Sequence, residues 1–298
     1  MICRECPRAC GQERGETSGR GFCGQGIQPR VARAALHLWE EPCISGVHGS
    51  GAIFFSGCTL KCLFCQNTEI SHGGKGIAIT PARLAEIVRE LEAQGAETIN
   101  LVTPGHFADA IREALCLYRP AVPVVYNTSG YESLSVLEKM ADVVDVYLPD
   151  LKTLSSRMAG KLFRAADYPE VATQAILEMV RQKGSPVYND AGIVQRGVVI
   201  RHLVLPGMTT DAMQVLNWIV ENCPGIPVSL MSQYVPCGEA VSFPGLDRRL
   251  KTREYERVLA QMKLLGIPGY YQTAGADDRA FIPSFDGTGV ERKDMKDV

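Results

Sequence analysis

Three cysteines stand close together at Cys58, Cys62 and Cys65, in the spacing C-x3-C-x2-C. They follow a short apolar run, Ala52–Phe55, that reads as a buried strand. Three thiolates at the mouth of a strand can hold a cubic 4Fe–4S cluster, which normally takes four cysteines; the missing fourth leaves one iron open to a small molecule. Zinc and disulfides are the alternatives. Zinc would need a fourth Cys or His close by, commonly from a second paired hairpin, and His72 is the nearest candidate.

A second group of thiols lies at the start of the chain. Cys3, Cys6, Cys10 and Cys23 give C-x2-C-P-x2-C and then Gly-Phe-Cys-Gly, within a segment of residues 1–50 that has little apolar content. Such a segment cannot build its own core, so four thiols suggest a metal staple. Zinc and a second Fe–S cluster both take four thiolates, and the spacing does not choose between them; reduced cysteines on a loose arm are the alternative. Cys43 reads as a packing residue, Cys116 and Cys223 as core thiols on helix faces. Cys237 stays open between a core thiol and a ligand or substrate-facing group.

The chain of 298 residues is 46% hydrophobic, ample for a packed core, and carries a net charge of −2. That charge gives no footprint for a polyanion, which argues against nucleic acid as partner and against RNA modification. No apolar run approaches the roughly 18–20 residues of a membrane span. The polar start, MICRECPRAC, lacks the apolar core of a signal peptide. A cytoplasmic location is expected, and in a reducing compartment eleven cysteines argue for metal over disulfides.

From Ala52 onward strand and helix patterns alternate. Thr80-Pro81 opens a helix in which Leu84, Ile87, Val88 and Leu91 share one face, and Gly95 closes it. Strands are expected over 98–103, 122–128, 143–148, 197–205 and 227–232. Helices are expected over 108–118, from a capping box of Ser129 with Glu132 through Met140, near 155–164 and 169–183, over 211–221, and around Tyr255–Met262. Apolar strands alternating with helices mean a parallel sheet covered by helices. Six such units allow a partial barrel or a doubly wound sheet. In parallel barrels the chemistry gathers at the C-terminal strand ends.

Those ends carry Asn100 with Thr103-Pro104-Gly105-His106; Asn127-Thr128-Ser129-Gly130; Asp150-Leu151-Lys152; Arg201-His202; and Gln233-Tyr234. An arginine inside an apolar strand is costly unless it meets an anion, so Arg201 is expected to face the barrel and His202, by alternation, the helices. His106 reads as an ordinary helix-start residue before it reads as a substrate contact.

The cysteine stretch closely resembles the radical S-adenosylmethionine (SAM) enzymes, and the T-S-G and D-L-K segments with the V-I-R strand resemble the glycyl radical enzyme activases, typified by pyruvate formate-lyase activating enzyme. The patterns C-P-R-x-C, H-x-W-E-E-P-C-I-S-G, S-G-C-x3-C-x2-C-Q-N and N-L-V-T-P-G-H resemble an uncharacterised branch of that family, over about residues 36–290. The resemblance implies a partial (β/α)6 radical SAM barrel of the α/β class. It implies a 4Fe–4S cluster on Cys58, Cys62 and Cys65, and SAM chelating the open iron through its amino acid end. Cleavage then yields methionine and a deoxyadenosyl radical that abstracts a hydrogen atom.

By position, Asn127, Thr128 and Asp150 would line a monovalent-cation or ribose site, Lys152 would meet the SAM carboxylate, Arg201 would face SAM, and Phe64 would lie by the adenine. The family's Gly-Gly-Glu motif, which binds the SAM amino group, is absent; Asn100, Thr103 and Pro104 stand in its place. Gln233 is a candidate SAM or substrate contact. The expected organisation is a Cys-rich extension at 1–50, the barrel at 51–265 and a tail at 266–298. An electron donor such as flavodoxin or ferredoxin is implied, with a substrate that is a glycyl radical enzyme, another peptide or a small molecule, and the leader as a possible cap on the barrel mouth. The competing reading is a zinc-stabilised binding or redox-sensing module without SAM turnover.

Overall fold

The structure is a computed structural model that describes residues 2–272 and 283–291. The end of the charged terminal run, from Arg292, lies outside the described residues.

The sheet starts earlier than the apolar pattern suggests. β1 (Arg30–His37) runs antiparallel to β2 (Ser50–Phe55), pairing Ala34 with Ile53 and His37 with Ser50, and a one-turn helix α1 (Pro42–Ser45) sits in the connection. The domain boundary expected at residue 50 therefore falls at the start of a strand whose partner lies before it. All six residues of β2 are buried. The cysteine loop follows, then α2 (Thr68–Ser71) and the two-residue β3 (Ile77–Ala78), which pairs with the start of β1.

From there the alternation holds: α3 (Pro81–Ala93), β4 (Ile99–Val102), α4 (Ala108–Leu117), β5 (Val124–Thr128), α5 (Leu134–Met140) and β6 (Val146–Pro149). α6 (Ser156–Phe163) and α7 (Tyr168–Lys183) precede a hairpin of β7 (Val187–Tyr188) and β8 (Val194–Val198). After Val199 the same strand continues as β9 (Ile200–Leu203), followed by α8 (Thr209–Asn222), β10 (Val228–Met231), α9 (Thr252–Leu264) and β11 (Gly269–Tyr271).

β2, β4, β5, β6 and β8 are parallel neighbours, and β9, β10 and β11 continue the parallel order. A parallel bridge between Asp150 and Arg201 joins the two sheets where β8 passes into β9. The result is the six-unit partial barrel, with β11 as a short extra strand and β1 as an antiparallel edge. Residues 284–290 lie along that edge: Ala34 N–H donates to Thr288 O at 2.8 Å, and Phe285 packs on Phe54 with ring centroids 5.5 Å apart.

Burial explains the helices. Leu84, Ile87, Val88 and Leu91 of α3 are each 1% exposed, and each such side chain contributes roughly 1.5–3 kcal/mol by leaving water. The Thr80 side chain caps α3 by accepting from Arg83 N–H at 3.2 Å. α5 departs from expectation. It begins at Leu134 with Ser133 as N-cap, not at Ser129, because Glu132 is buried and turned back to accept from the Thr128 hydroxyl at 2.5 Å. Cys223 is in the core and Cys43 packs with Ile44, but Cys116 is exposed on α4 and is no core thiol.

Candidate active site

The cysteine loop hangs from the C-terminal end of β2. Leu60 is fully buried beneath it, Leu63 N–H donates to Leu162 O at 2.9 Å at the end of α6, and Ala240 N–H donates to Leu63 O at 3.1 Å. Lys61, just before Cys62, takes a left-handed φ of 55°. Cys58, Cys62 and Cys65 line one cleft of about 240 Å³, far more than an ion needs. Leu60 N–H donates to Cys58 Sγ at 3.4 Å and the Ser71 hydroxyl to Cys65 Sγ at 3.2 Å.

Burial pushes the Cys62 thiol far up against the pull of Lys152, and pushes Cys65 up to about 11 despite the Ser71 hydroxyl. Half-buried thiols with donors aimed at two of the sulfurs suit a cation that deprotonates them. Among the described residues, no three His, Cys, Asp or Glu side chains are already gathered into a ligand set. The donor set and its hydrogen bonds nonetheless fit a thiolate-bound iron–sulfur cluster, with three ligands and an open cleft beside them.

The opposite wall is a charged network on the ends of β5, β6 and β9. Arg201 donates through Nε to Asp150 Oδ1 at 2.9 Å, through Nη1 to Glu40 Oε2 at 3.2 Å and through Nη2 to Asn127 Oδ1 at 2.6 Å. Lys152 Nζ donates to Asp150 Oδ2 at 2.6 Å. The side chains of Lys152, Asp150, Arg201 and Glu40 are 12–17% exposed. Burial alone would raise Asp150, but Arg201 and Lys152 hold it below the ordinary carboxylate range. For Glu40 burial wins and its carboxyl is raised, even beside Arg201. Two acids and two bases in one network make a site whose partners can be exchanged for those of a zwitterion.

Phe64, Thr103, Asn127, Thr128, Asp150, Lys152, Arg201 and Gln233 all line this cleft. Phe64 stands edge-on to Phe163 and Tyr234, 5.9 Å from each. Thr103 has a left-handed φ of 60°, a conformation costly for a β-branched residue. Asn100 does not line the cleft; it backs the wall by donating to Glu40 Oε1 at 3.0 Å. The Thr128 hydroxyl turns away to Glu132. Gln233 is tied to Gln272, whose Nε2 donates to its Oε1 at 2.7 Å. His106 and His202 are buried, bonded to Ser56 O at 2.8 Å and Leu151 O at 2.7 Å, and burial lowers both to about 4. Neither lines the cleft.

Sequence reasoning missed Glu40, along with His37 and Trp39 beside it in the cleft wall. The signal was there in the H-x-W-E-E pattern, but its place after a strand went unread because β1 did. Asn67, also in the wall, has a buried Oδ1 with no hydrogen-bond partner, an acceptor suited to a polar ligand. Of the segment 1–50, His37, Trp39 and Glu40 line the cleft, and among the described residues none before His37 does.

The pattern of the radical SAM superfamily matches residues 52–219, over half of the chain. The chain is 29% identical over 267 residues to an uncharacterized protein of Methanocaldococcus jannaschii, covering 86% of this chain and 73% of that one. Among solved structures, Streptococcus suis SuiB is similar with a TM-score of 0.50 and 16% identity, over 76% of this chain and 48% of SuiB. The chain thus spans about half the length of SuiB. A domain of pyruvate-formate lyase-activating enzyme from Bacteroides vulgatus is similar with a TM-score of 0.39 and 9% identity, over 65% of this chain and 91% of that domain. No helix among the described residues is long and apolar enough to cross a membrane. The triad spacing, the strand that presents it and the matched span agree, and the chain belongs to the radical SAM superfamily.

Proposed function

We propose that this radical SAM enzyme binds its 4Fe–4S cluster through Cys58, Cys62 and Cys65 and SAM across the same cleft, for hydrogen abstraction from a peptide or a small molecule. In the family the bound cluster supplies one electron to SAM, whose cleavage gives methionine and a deoxyadenosyl radical. The observation that carries this reading is the convergence of the three thiols and the Asp150–Lys152–Arg201–Glu40 network on one cleft.

This chain's residues supply binding and orientation. Lys152 is a compact point charge that can leave Asp150 for a carboxylate. Asp150, left ionised by Arg201, offers acceptors to a ribose or ammonium. Arg201 spans three partners and keeps both acids placed while one is exchanged. Phe64 offers a buried ring edge to a planar base. The electron would come from a small carrier such as flavodoxin or ferredoxin. The exposed Trp39 in the cleft wall suits a peptide or protein substrate.

Anaerobically reconstituted protein, reduced with dithionite and given SAM, is expected to release 5′-deoxyadenosine. A triple alanine variant at Cys58, Cys62 and Cys65 is expected to release none and to lose its iron. A well-loaded wild type that gives no deoxyadenosine, or zinc in place of iron at this triad, overturns the reading in favour of a zinc-stabilised binding module.

A further inference from the structure

The cysteine leader packs against the back of the active-site loop and has no hydrophobic core of its own. In residues 2–29 the buried hydrophobic side chains are Cys3 and Cys6. Regular structure there is confined to isolated bridges, Ile2 with Glu13, Arg14 with Gly19 and Ser18 with Gln25. A segment this poor in apolar contacts needs a cross-link to hold one shape.

We propose that Cys3, Cys6, Cys10 and Cys23 form a second metal site for a single thiolate-bound ion such as zinc, and that this ion fixes Arg8 as a clamp on the Cys58–Cys65 loop. The second half rests on that loop being the cluster loop; the first does not.

The four thiols line one small cavity, floored by Thr59 and His106. Its volume is about 10 Å³, room for one water-sized sphere. That suits one tetrahedral ion and not an eight-atom iron–sulfur cube. The turns around the thiols are those that present sulfur to an ion. The Arg8 backbone N–H lies against the Cys6 sulfur and that of Gln25 against the Cys23 sulfur, each two residues on. Ala9 N–H closes one turn on Cys6 O and Gly24 N–H closes the other on Gly21 O, both at 2.9 Å, with left-handed φ of 39° at Ala9 and 73° at Gly24. The four sulfurs are not already gathered into a ligand set, and binding an ion would draw them together.

Arg8 sits between two of these cysteines. Its Nε donates to Thr59 O at 2.7 Å, its Nη1 to Arg164 O at 2.6 Å and its Nη2 to Phe163 O at 3.1 Å. Thr59 follows Cys58 directly, and Phe163 and Arg164 are the last carbonyls of α6, whose Leu162 O receives Leu63 N–H. One guanidinium thus joins the loop to the helix end that supports it. The contact is close on the other side too: a Cβ at Gly57, which has a φ of 80°, would stand 2.8 Å from Cys23 O.

The test uses the full chain purified anaerobically without chelator. About one zinc per chain is expected beside the iron, and exchange for Co²⁺ should give thiolate-to-cobalt charge transfer. A Cys6→Ser/Cys23→Ser variant should lose both signals. Arg8→Ala should keep the zinc while amide hydrogen exchange in residues 59–64, read in iron-free protein, quickens by about tenfold or more, the effect of losing one or two charged hydrogen bonds. Wild type without zinc and without a cobalt band overturns the site, as does zinc retained by the double variant. Extra iron and sulfide at the leader overturn the single ion. Unchanged exchange in Arg8→Ala overturns the clamp. Absence of SAM cleavage with zinc and exchange behaving as expected would sink the proposed function and leave this site standing.

Discussion

Arg201 is the residue on which the charged wall depends, because one side chain satisfies Asp150, Glu40 and Asn127 together. Removing one member of a buried ion network costs about 3–5 kcal/mol, since the partner charges stay buried without compensation. Lys152 is different: its ammonium donates to Asp150, which keeps Arg201 when Lys152 goes. Lys152→Met is therefore expected to leave iron content and the unfolding midpoint near wild type. SAM affinity should fall by roughly 10- to 100-fold, the worth of one charge-assisted bond, as read by equilibrium dialysis. Arg201→Met should instead lower stability first, by the amount above, in a denaturant titration of iron-free protein. If Lys152→Met binds SAM as wild type does, Lys152 does not meet the carboxylate. Arg201 was legible as an inward-facing charge because an arginine in an apolar strand must find an anion. Glu40 was not, because a Glu-Glu pair in a polar leader reads as solvated until the strand before it is known.

At the scale of elements, alternation carried the reading from Ala52 to Met262, because strands buried on both faces and helices with one apolar face leave different periods. It failed where burial and pattern part company. β1, RVARAALH, has charged residues at Arg30 and Arg33 and small ones between, so it shows no clean period of two; its strand character comes from pairing with β2 and β3 on either side. The β5–α5 junction failed for another reason. Ser129 and Glu132 have the spacing of a capping box, but Glu132 is used as a buried link between Thr128 and the turn at Gly105, where a Cβ would collide with its carboxylate.

Burial raises Glu132 to about 7, against the Thr128 hydroxyl. A carboxyl raised in the folded state holds its proton there more tightly than in the unfolded chain. Its stabilising contribution is therefore greatest at low pH and is lost as pH rises from the ordinary value of 4.5 through about 7. Wild type should lose stability over that window relative to Glu132→Gln, whose profile should be flatter. Parallel profiles for the two proteins would mean that Glu132 titrates normally.

At the scale of the molecule, the site is a product of closure. The strand ends bring residues from positions 40, 58–67, 127–128, 150–152 and 201 to one cleft; the cysteine spacing and the polar strand ends were visible in the sequence, and the place of Glu40 among them was not. The open edge of the barrel is the counterpart. β1 is flanked by the two residues of β3 and by the main chain at 287–288, where Gly287 N–H donates to Ala32 O at 3.0 Å and Ala34 N–H to Thr288 O. Arg33 adds bonds to Ser284 O at 3.2 Å and Asp286 at 3.3 Å. An uncovered edge strand offers its amides and carbonyls to any other strand. A chain cut after Pro283 is expected to keep its iron and to self-associate with rising concentration in light scattering, whereas a monodisperse truncated chain would show the edge to be protected by other means. The strap over β1 is thus expected to have a colloidal role as well: by occupying the edge it would keep neighbouring copies from continuing one another's sheets.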